Sequence, residues 1–314
     1  MRIAFVMDPI EAVNIDADTT FALMLAAQER GHDVFYVRMQ DMYARGNEAW
    51  SRVVRVNLKR VKGAHFEFGV ESDMALHELD VIFMRKDPPF DIAYLHAVHL
   101  LELAQELGAL VMNSPDGLRA ANEKLYALHF PEATPTTLVS KSARIIRQFA
   151  ADQGGRCIIK PLDGHGGEGV FMLDLEDRNA SALLEVMTRH ETEYLMCQTY
   201  LPAARKGDKR ILMLDGEPMG AILRVPQEKD HRGNIHVGGR VEKTDLSPRD
   251  LEICQMVGPR LREDGLYFVG LDVIGDYLTE VNVTSPTGIQ EMSRLNGVDG
   301  PAEVIRWMED RRAQ

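Results

Sequence analysis

Cysteine is scarce in this sequence: Cys157, Cys197 and Cys254 are all it has in 314 residues. None has metal-ligand spacing, and each sits in an apolar run, so they read as reduced core thiols of a cytoplasmic protein. Basic residues are also in deficit, 36 against 48 acidic, for a net charge of −12. A nucleic-acid or anionic-membrane surface needs a basic footprint, so neither is an expected partner. No apolar run approaches the length of a membrane span. The start, Met1-Arg2-Ile3-Ala4-Phe5-Val6-Met7-Asp8-Pro9, is too short and too soon charged for a signal peptide. Internal repeats and low-complexity segments are missing as well. What is present is ordinary for a soluble globular chain: 45% hydrophobic and 27% charged residues. The length predicts two or three domains.

The first third of the chain alternates strands and helices. Ile3 to Met7 reads as a buried strand, Asp18 as the cap of a helix over Thr19 to Arg30, and Asp33 to Val37 as the next strand. Strand–helix–strand at this spacing implies a parallel sheet. Residues 52–70 suggest two strands around a basic turn at Lys59 to Lys62. Val81 to Met84 is a strand running into Arg85-Lys86-Asp87-Pro88-Pro89. That loop follows the C-terminal end of a parallel strand, where open α/β sheets place ligands. Asp91 caps a helix over Ile92 to Leu107, and a domain boundary is expected near residue 122.

Beyond it, Thr136 to Val139 reads as a strand, with Ser140 capping a helix over Lys141 to Asp152. Cys157 to Pro161 is a strand carrying Lys160, followed by Leu162-Asp163-Gly164-His165-Gly166-Gly167-Glu168-Gly169 and the apolar run Val170 to Leu173. Gly164, Gly166 and Gly169 match G-x-G-x-x-G formally, yet a dinucleotide fingerprint requires a helix next, and a strand follows. No Gly-Lys-Ser/Thr follows for a P-loop. Strand, glycine-rich turn, strand is the arrangement that covers phosphates in kinases; a plain mobile hairpin is the other reading. Ser181 to His190 is helical, and Tyr194 to Gln198 is a strand. Asp215-Gly216 is a tight turn between two strands, and a long polar loop runs from Pro226 to Gly239. A loop of that length suggests a lid.

The segment Gly270 to Thr287, GLDVIGDYLTEVNVTSPT, reads as a hairpin. With Gly275-Asp276-Tyr277 as a three-residue loop, Ile274 pairs with Leu278 and Asp272 lies opposite Glu280. Asn282 then shares their face. Two facing carboxylates with no cation beside them point to a bound cation, and oxygen-only ligands suit Mg²⁺. A solvated polar face is the competing explanation.

At this point the chain resembles the prokaryotic-type glutathione synthetases, carboxylate–amine ligases of the ATP-grasp superfamily. The likeness rests on Met7-Asp8-Pro9, Met84 to Asp91 (MRKDPPFD), Asn122-Glu123-Lys124, Lys160 to Gly164, Gly207 to Arg210, Gly238-Gly239-Arg240, Val269 to Gly275 and Glu280 to Thr287 (EVNVTSPT). It implies an N-terminal parallel-sheet α/β domain over 1–122 and a two-lobed α+β ATP-grasp domain over 123–314. The small lobe would span about 123–200 and the large lobe about 201–314. It also implies ATP-dependent joining of glycine to the cysteine carboxylate of γ-glutamylcysteine through an acyl phosphate, in a cytoplasmic homo-oligomer. By position, Asp272, Glu280 and Asn282 would bind Mg²⁺ or Mn²⁺. Lys124, Lys160, Gly164, Gly166 and Gly167 would meet the ATP phosphates, Gln198, Tyr200 and Leu201 the adenine, and Asp208 the ribose. Arg85, Arg210, Arg224, Arg232, Gly238, Gly239 and Ser285 would hold substrate carboxylates or the developing oxyanion. Where the family's mobile loop carries a Gly-Glu segment, this chain has Gln227-Glu228-Lys229-Asp230-His231. An ATP-grasp ligase for another acid or amine, and a nicotinamide oxidoreductase built on the formal G-x-G-x-x-G, are the alternatives. One further expectation comes from parity. A two-residue Asp215-Gly216 turn puts Arg210 opposite Ala221, on the other face from Arg224. Both can serve one substrate only with a longer turn, or with a bulge or strand break between Gly220 and Arg224.

Overall fold

Four apolar residues in a row, Ile3 to Val6, leave nothing for solvent, and all four are fully buried. That is the signature of a strand covered on both faces. In the computed structural model, which describes residues 1–164, 166–226 and 240–313, they form the centre of the first sheet. Its strands are β1 (Arg2–Val6), β2 (Asp33–Arg45), β3 (Glu48–Leu58), β4 (Phe66–Ala75), β5 (Val81–Met84) and β6 (Leu110–Met112), in the order β4-β3-β2-β1-β5-β6. β1 runs parallel to β2 and β5, and β5 parallel to β6, while β3 and β4 are antiparallel additions. The expected parallel sheet is therefore present, with the basic turn at 59–62 between β3 and β4. Helix α1 (Thr19–Glu29) starts where expected, with the Asp18 carboxylate accepting from Phe21 N at 2.6 Å. It is buried on every side from Thr19 to Ala27, because the C-terminal helix covers its outer face. Helix α2 (Ile92–Glu106) is capped by Asp91, which accepts from Tyr94 N at 2.8 Å. The short α3 (Pro115–Ala120) follows β6.

The next unit has a core of its own. Strands β7 (Thr137–Ser140), β8 (Arg156–Pro161), β9 (Phe171–Asp174) and β10 (Leu195–Thr199) form an antiparallel sheet in the order β7-β10-β8-β9. Helices α4 (Ala143–Asp152) and α5 (Ala180–Met187) bury Ile146, Ala150, Leu184, Cys157, Ile159, Leu173, Leu195 and Cys197 against one face. Two sequence expectations need correction. Ser140 does not cap α4: it ends β7, its hydroxyl accepts from Ser142 N at 3.1 Å, and Ser142 takes the cap position. α5 stops at Met187 because Arg189, His190 and Glu191 all adopt positive φ, which ends a right-handed helix.

The third sheet has β11 (Asp208–Leu214), β12 (Glu217–Val225), β13 (Arg240–Lys243), β14 (Phe268–Ile274) and β15 (Tyr277–Asn282), ordered β13-β12-β11-β14-β15. Helix α6 (Pro248–Glu263) opens with a capping box between Ser247 and Asp250. It buries Ile253, Cys254, Val257 and Leu261 in a core shared with Ile211, Met213, Val269 and Leu271. Helices α7 (Ile289–Asn296) and α8 (Gly300–Ala313) pack back onto α1. One apolar cluster runs from Val6 and Ile82 of the first sheet to Val269 and Val281 of the third. Asn113 joins them further: its amide bonds to Phe268 O (2.9 Å), Val283 O (2.7 Å) and Phe268 N (2.8 Å). The first and third sheets thus make one floor, with the four-stranded sheet as a separate lobe.

The cysteines are free and buried. Burial pushes the thiols of Cys157 up to about 11 and of Cys197 and Cys254 up to about 12. Protonated thiols away from solvent are poor nucleophiles, as their expected structural role requires.

Candidate active site

Two hairpins of the third sheet aim the polar side chains. In the first, Ile274 pairs with Tyr277, so the turn is the two residues Gly275-Asp276, not the expected three. Val273 pairs with Leu278, and then the register shifts, so that Asp272 lies opposite Glu280. The extra residue, Thr279, is a bulge whose hydroxyl donates to Asp272 O at 3.1 Å. The shorter turn and the bulge offset one another, which is why the facing pair is as expected. Asn282 lies opposite Gly270 and donates through Nδ2 to Gly270 O (3.2 Å), which leaves its amide oxygen as an acceptor.

In the second hairpin Leu214 pairs with Glu217 and Met213 with Pro218, but Leu212 pairs with Gly220. Met219 is the bulged residue. The parity shift expected from the sequence is therefore there, one residue earlier than the Gly220–Arg224 interval. A tight turn with φ of 49° at Asp215 and 74° at Gly216 twists the arms strongly, and the bulge falls close to it. Arg210 now pairs with Ile222 and Asp208 with Arg224, so both arginines share a face.

They converge on Asp272. Arg210 grips it in a fork, Nε to Oδ1 at 2.6 Å and Nη2 to Oδ2 at 3.1 Å. Arg224 Nη2 lies 2.9 Å from Asp272 Oδ1, and its Nε bonds to Asp208 Oδ1. Burial alone would raise the Asp272 carboxyl, but Arg210 and Arg224 outweigh it and hold the group well below the usual carboxylate range. The expectation that no cation stands beside the two carboxylates is thus overturned. Asp272 has two arginines from β11 and β12, and Glu280 has Lys124 Nζ at 3.0 Å. These cations come from outside the hairpin, and long side chains reach across two strands.

Around these groups lies a cavity of about 330 Å³, lined by Arg210, Arg224, Asp272, Glu280, Asn282 and Ser285 together with Glu123, Glu168 and Asp87. Lys124 Nζ also donates to Gly164 O, and Lys160 Nζ donates to Thr279 O at 3.2 Å. Lys124 thereby ties the glycine-rich turn, and Lys160 ties β8, to β15 of the floor. Burial pulls the Lys160 ammonium down to about 8 against the attraction of Glu280. The glycine-rich turn is followed by β9, which pairs back on β8, so no helix follows it and the dinucleotide geometry is absent there. A Cβ on Gly164 would come within 2.9 Å of Pro161 and 3.0 Å of Glu168 O, so only glycine fits.

Register identifies residues the sequence reading passed over. Ile158 pairs with both Met172 and Gln198, and Lys160 pairs with Met196. These five side chains share the sheet face opposite the lobe's own core, an apolar wall with one amide and one ammonium. The period of two through Cys157 to Lys160 already places Ile158 beside Lys160; the contributions of β9 and β10 needed the pairing. Gln198 Nε2 donates to Thr137 Oγ1 at 3.1 Å, and half-buried Tyr200 and Leu201 continue the segment leaving β10.

Other expected residues take different positions. Asp208 is spent on Arg224. Arg85 lies beneath the cavity, 4% exposed, donating to Thr20 Oγ1 (3.1 Å) and Pro286 O (3.0 Å). Burial lowers its affinity for the proton. Ser285 lines the cavity and donates to Arg85 O at 3.3 Å. Arg232, Gly238 and Gly239, with the rest of the expected lid after Pro226, lie outside the described residues, as does His165.

A divalent cation fits the donor set. Asp272, Glu280 and Asn282 offer only oxygen, the ligand type magnesium prefers. Among the described residues no group of three or more His, Cys, Asp or Glu that could hold a metal ion is gathered; the Asn282 amide lines the cavity with the two carboxylates. The basic groups at the cavity are already set against Asp272, Asp208, Glu280 and backbone carbonyls. A polyphosphate entering here meets little uncompensated positive charge, which is the situation a bound divalent cation relieves.

Comparison with known proteins agrees with this geometry. The model of the prokaryotic glutathione synthetase N-terminal domain matches residues 1–119, and that of the prokaryotic glutathione synthetase ATP-grasp domain matches residues 123–297. The chain is 46% identical over 318 residues to a glutathione synthetase of Synechocystis sp., covering 98% of this chain and 99% of that one. It is 48% identical over 293 residues to the Yersinia pestis glutathione synthetase, covering 93% and 92%. Among solved structures, the D-cycloserine synthetase DcsG superposes with a TM-score of 0.68 at 14% identity, over 96% of this chain and 98% of that one. The ATP-grasp ligase PsnB, complexed with a minimal precursor, gives 0.65 at 17% identity over 98% of each. At such identities these two speak for the fold alone.

Proposed function

The chain belongs to the prokaryotic glutathione synthetase family, and from that premise we propose how its residues divide the work. The enzyme is an ATP-dependent carboxylate–amine ligase that joins glycine to the cysteine carboxylate of γ-glutamylcysteine. The carboxylate takes a phosphoryl group from ATP, and the glycine amine displaces phosphate from the resulting acyl phosphate. Each step gathers anionic oxygens, so the catalytic need is electrostatic and positional.

The single observation that carries the assignment of roles is the convergence of Arg210 and Arg224 on Asp272 at one cavity. Buried Arg224 Nη2 carries two N–H groups and lies 2.9 Å from Asp272 Oδ1. It is the donor to offer a substrate carboxylate or the developing oxyanion, with Arg210 and the Ser285 hydroxyl beside it. Asp272 and Asp208 hold the two guanidinium planes in place. Lys124 and Lys160 meet the ATP phosphates under the turn of Gly164, Gly166 and Gly167. Ile158, Met172, Met196 and Gln198 wall the adenine, continued by Tyr200 and Leu201. Asp208 reaches the ribose only by leaving Arg224. Arg85 supports the loop that presents Ser285 rather than lining the cavity itself.

Asp272, Glu280 and Asn282 would hold Mg²⁺ or Mn²⁺, which when bound neutralises phosphate oxygens and polarises the transferring group. The same proposal divides the chain into 1–122 and 123–314, the latter into lobes of about 123–200 and 201–314. The separate core of the four-stranded sheet supports the lobes. A cytoplasmic setting and a homo-oligomeric assembly rest on the family likeness. The test is ADP release with ATP and γ-glutamylcysteine, with and without glycine, and with other acids and amines in their place. Sustained release requiring both γ-glutamylcysteine and glycine supports the reading. Sustained turnover on a different pair alone replaces it with another ligase of the same superfamily.

A further inference from the structure

Asn122, Glu123 and Lys124 are consecutive, yet they hold two different loops. Asn122 Nδ2 donates to Leu162 O (3.3 Å), and its Oδ1 accepts from Lys124 N (3.1 Å) and Leu125 N (3.0 Å). Lys124 Nζ reaches Gly164 O and Glu280. Glu123 turns the other way. Its carbonyl accepts from Val281 N at 2.9 Å. Its carboxylate oxygen Oε1 alone accepts three hydrogen bonds: from Val283 N (2.9 Å), Thr284 N (3.0 Å) and Thr284 Oγ1 (2.8 Å).

Val283 and Thr284 have left β15, so their N–H groups have no strand beside them, and Glu123 is the acceptor they meet. Ser285 comes next in the chain. Past it, Pro286 O accepts from Arg85 Nη2 (3.0 Å) and Thr287 O from Arg210 Nη1 (3.1 Å). The loop from Val283 to Thr287 is thus fixed at its start by the Glu123 carboxylate and the Asn113 amide and at its end by two arginines. Asn282 stands immediately before it and Ser285 within it. Burial and the neighbouring Glu280 both work against charge on Glu123. A carboxylate kept in such a place is there for its hydrogen bonds.

We propose that Glu123 is a positioning residue of the ligase reaction: through Val283 and Thr284 it sets Ser285 against Arg210. This rests on the ligase reading above. Lys124 keeps its own place through the Asn122 side chain and the Glu123 carbonyl, neither of which depends on the carboxylate. Loss of that carboxylate therefore acts on the acid and amine substrates, not on ATP.

The experiment is steady-state kinetics of Glu123→Ala, Glu123→Gln and Thr284→Val, each substrate varied in turn, with thermal unfolding followed in parallel. Gln retains an oxygen able to accept the same three donors. For Glu123→Ala, kcat/KM for γ-glutamylcysteine and glycine falls about 10- to 100-fold while the KM for ATP moves less than about threefold. Glu123→Gln recovers most of the loss. Thr284→Val removes one donor of three and gives the same pattern at about 3- to 10-fold, which keeps the test alive if the alanine variant does not fold. Wild-type kinetics in Glu123→Ala or Thr284→Val, a loss confined to ATP, or a Gln variant as impaired as Ala would overturn the proposal. Wild-type protein in the same assay isolates the premise: if it does not ligate glycine, the ligase reading fails, not this role.

Discussion

Arg210 and Arg224 share one carboxylate oxygen, Asp272 Oδ1, at 2.6 and 2.9 Å. They do so because Met219 is bulged out of β12 and moves Arg224 onto the face of Arg210. The fork that Arg210 makes with Asp272 is a property of the planar guanidinium, which an ammonium lacks. Arg210→Lys and Arg224→Lys therefore keep charge and lose geometry. Each should lower kcat/KM for γ-glutamylcysteine or glycine about 10- to 100-fold, with ATP affected least. Steady-state kinetics with each substrate varied in turn checks this. Variants that weaken ATP alone would put these arginines in the nucleotide site.

Asp272 compensates two buried cations, so its loss has a consequence for stability that is separate from turnover. Asp272→Asn keeps the shape and leaves Arg210 and Arg224 facing a neutral amide. Removing one partner of a buried ionic network costs about 3–5 kcal/mol. Urea unfolding should show a destabilisation of that size. A change below about 1 kcal/mol would mean that the arginines are compensated elsewhere.

Burial disfavours the charge of Lys160 and pulls its ammonium down to about 8. The protonated form is the one that attracts phosphate. In free enzyme that form is lost as pH rises through about 8, so kcat/KM for ATP should fall on the alkaline side. Arginine stays charged over this range, and Lys160→Arg should flatten that limb even where it lowers the rate overall. An alkaline limb unchanged in the arginine variant would assign it to another group.

The parts of this site legible in the sequence were those set by local pairing. Asp272 opposite Glu280 follows from alternation along a hairpin, although the chain reaches it by a two-residue turn and a bulge at Thr279 instead of a three-residue turn. The parallel first sheet follows from the strand–helix–strand spacing. The need for a bulge near Arg224 follows from parity, though only the fold puts it at Met219. What the sequence could not show were contacts closed over long separations. Lys124 beside Glu280, Glu123 under Thr284 and Arg85 under Pro286 each join segments about 150 residues or more apart. No period or motif carries that information. The same holds for Met172 and Met196, which join the wall of Ile158 only through strand order.

We place phosphoryl transfer at the cavity between Glu280 and Arg224. Glu280→Gln tests this placement most directly, since it removes the charge of one proposed metal ligand and keeps the shape. ADP release with ATP and γ-glutamylcysteine, with and without glycine, is measured for this variant and for wild type across a Mg²⁺ titration. The expected result is turnover lowered about 100-fold or more at limiting Mg²⁺, with the fold intact by circular dichroism. Wild-type turnover by Glu280→Gln at limiting Mg²⁺ would contradict that placement.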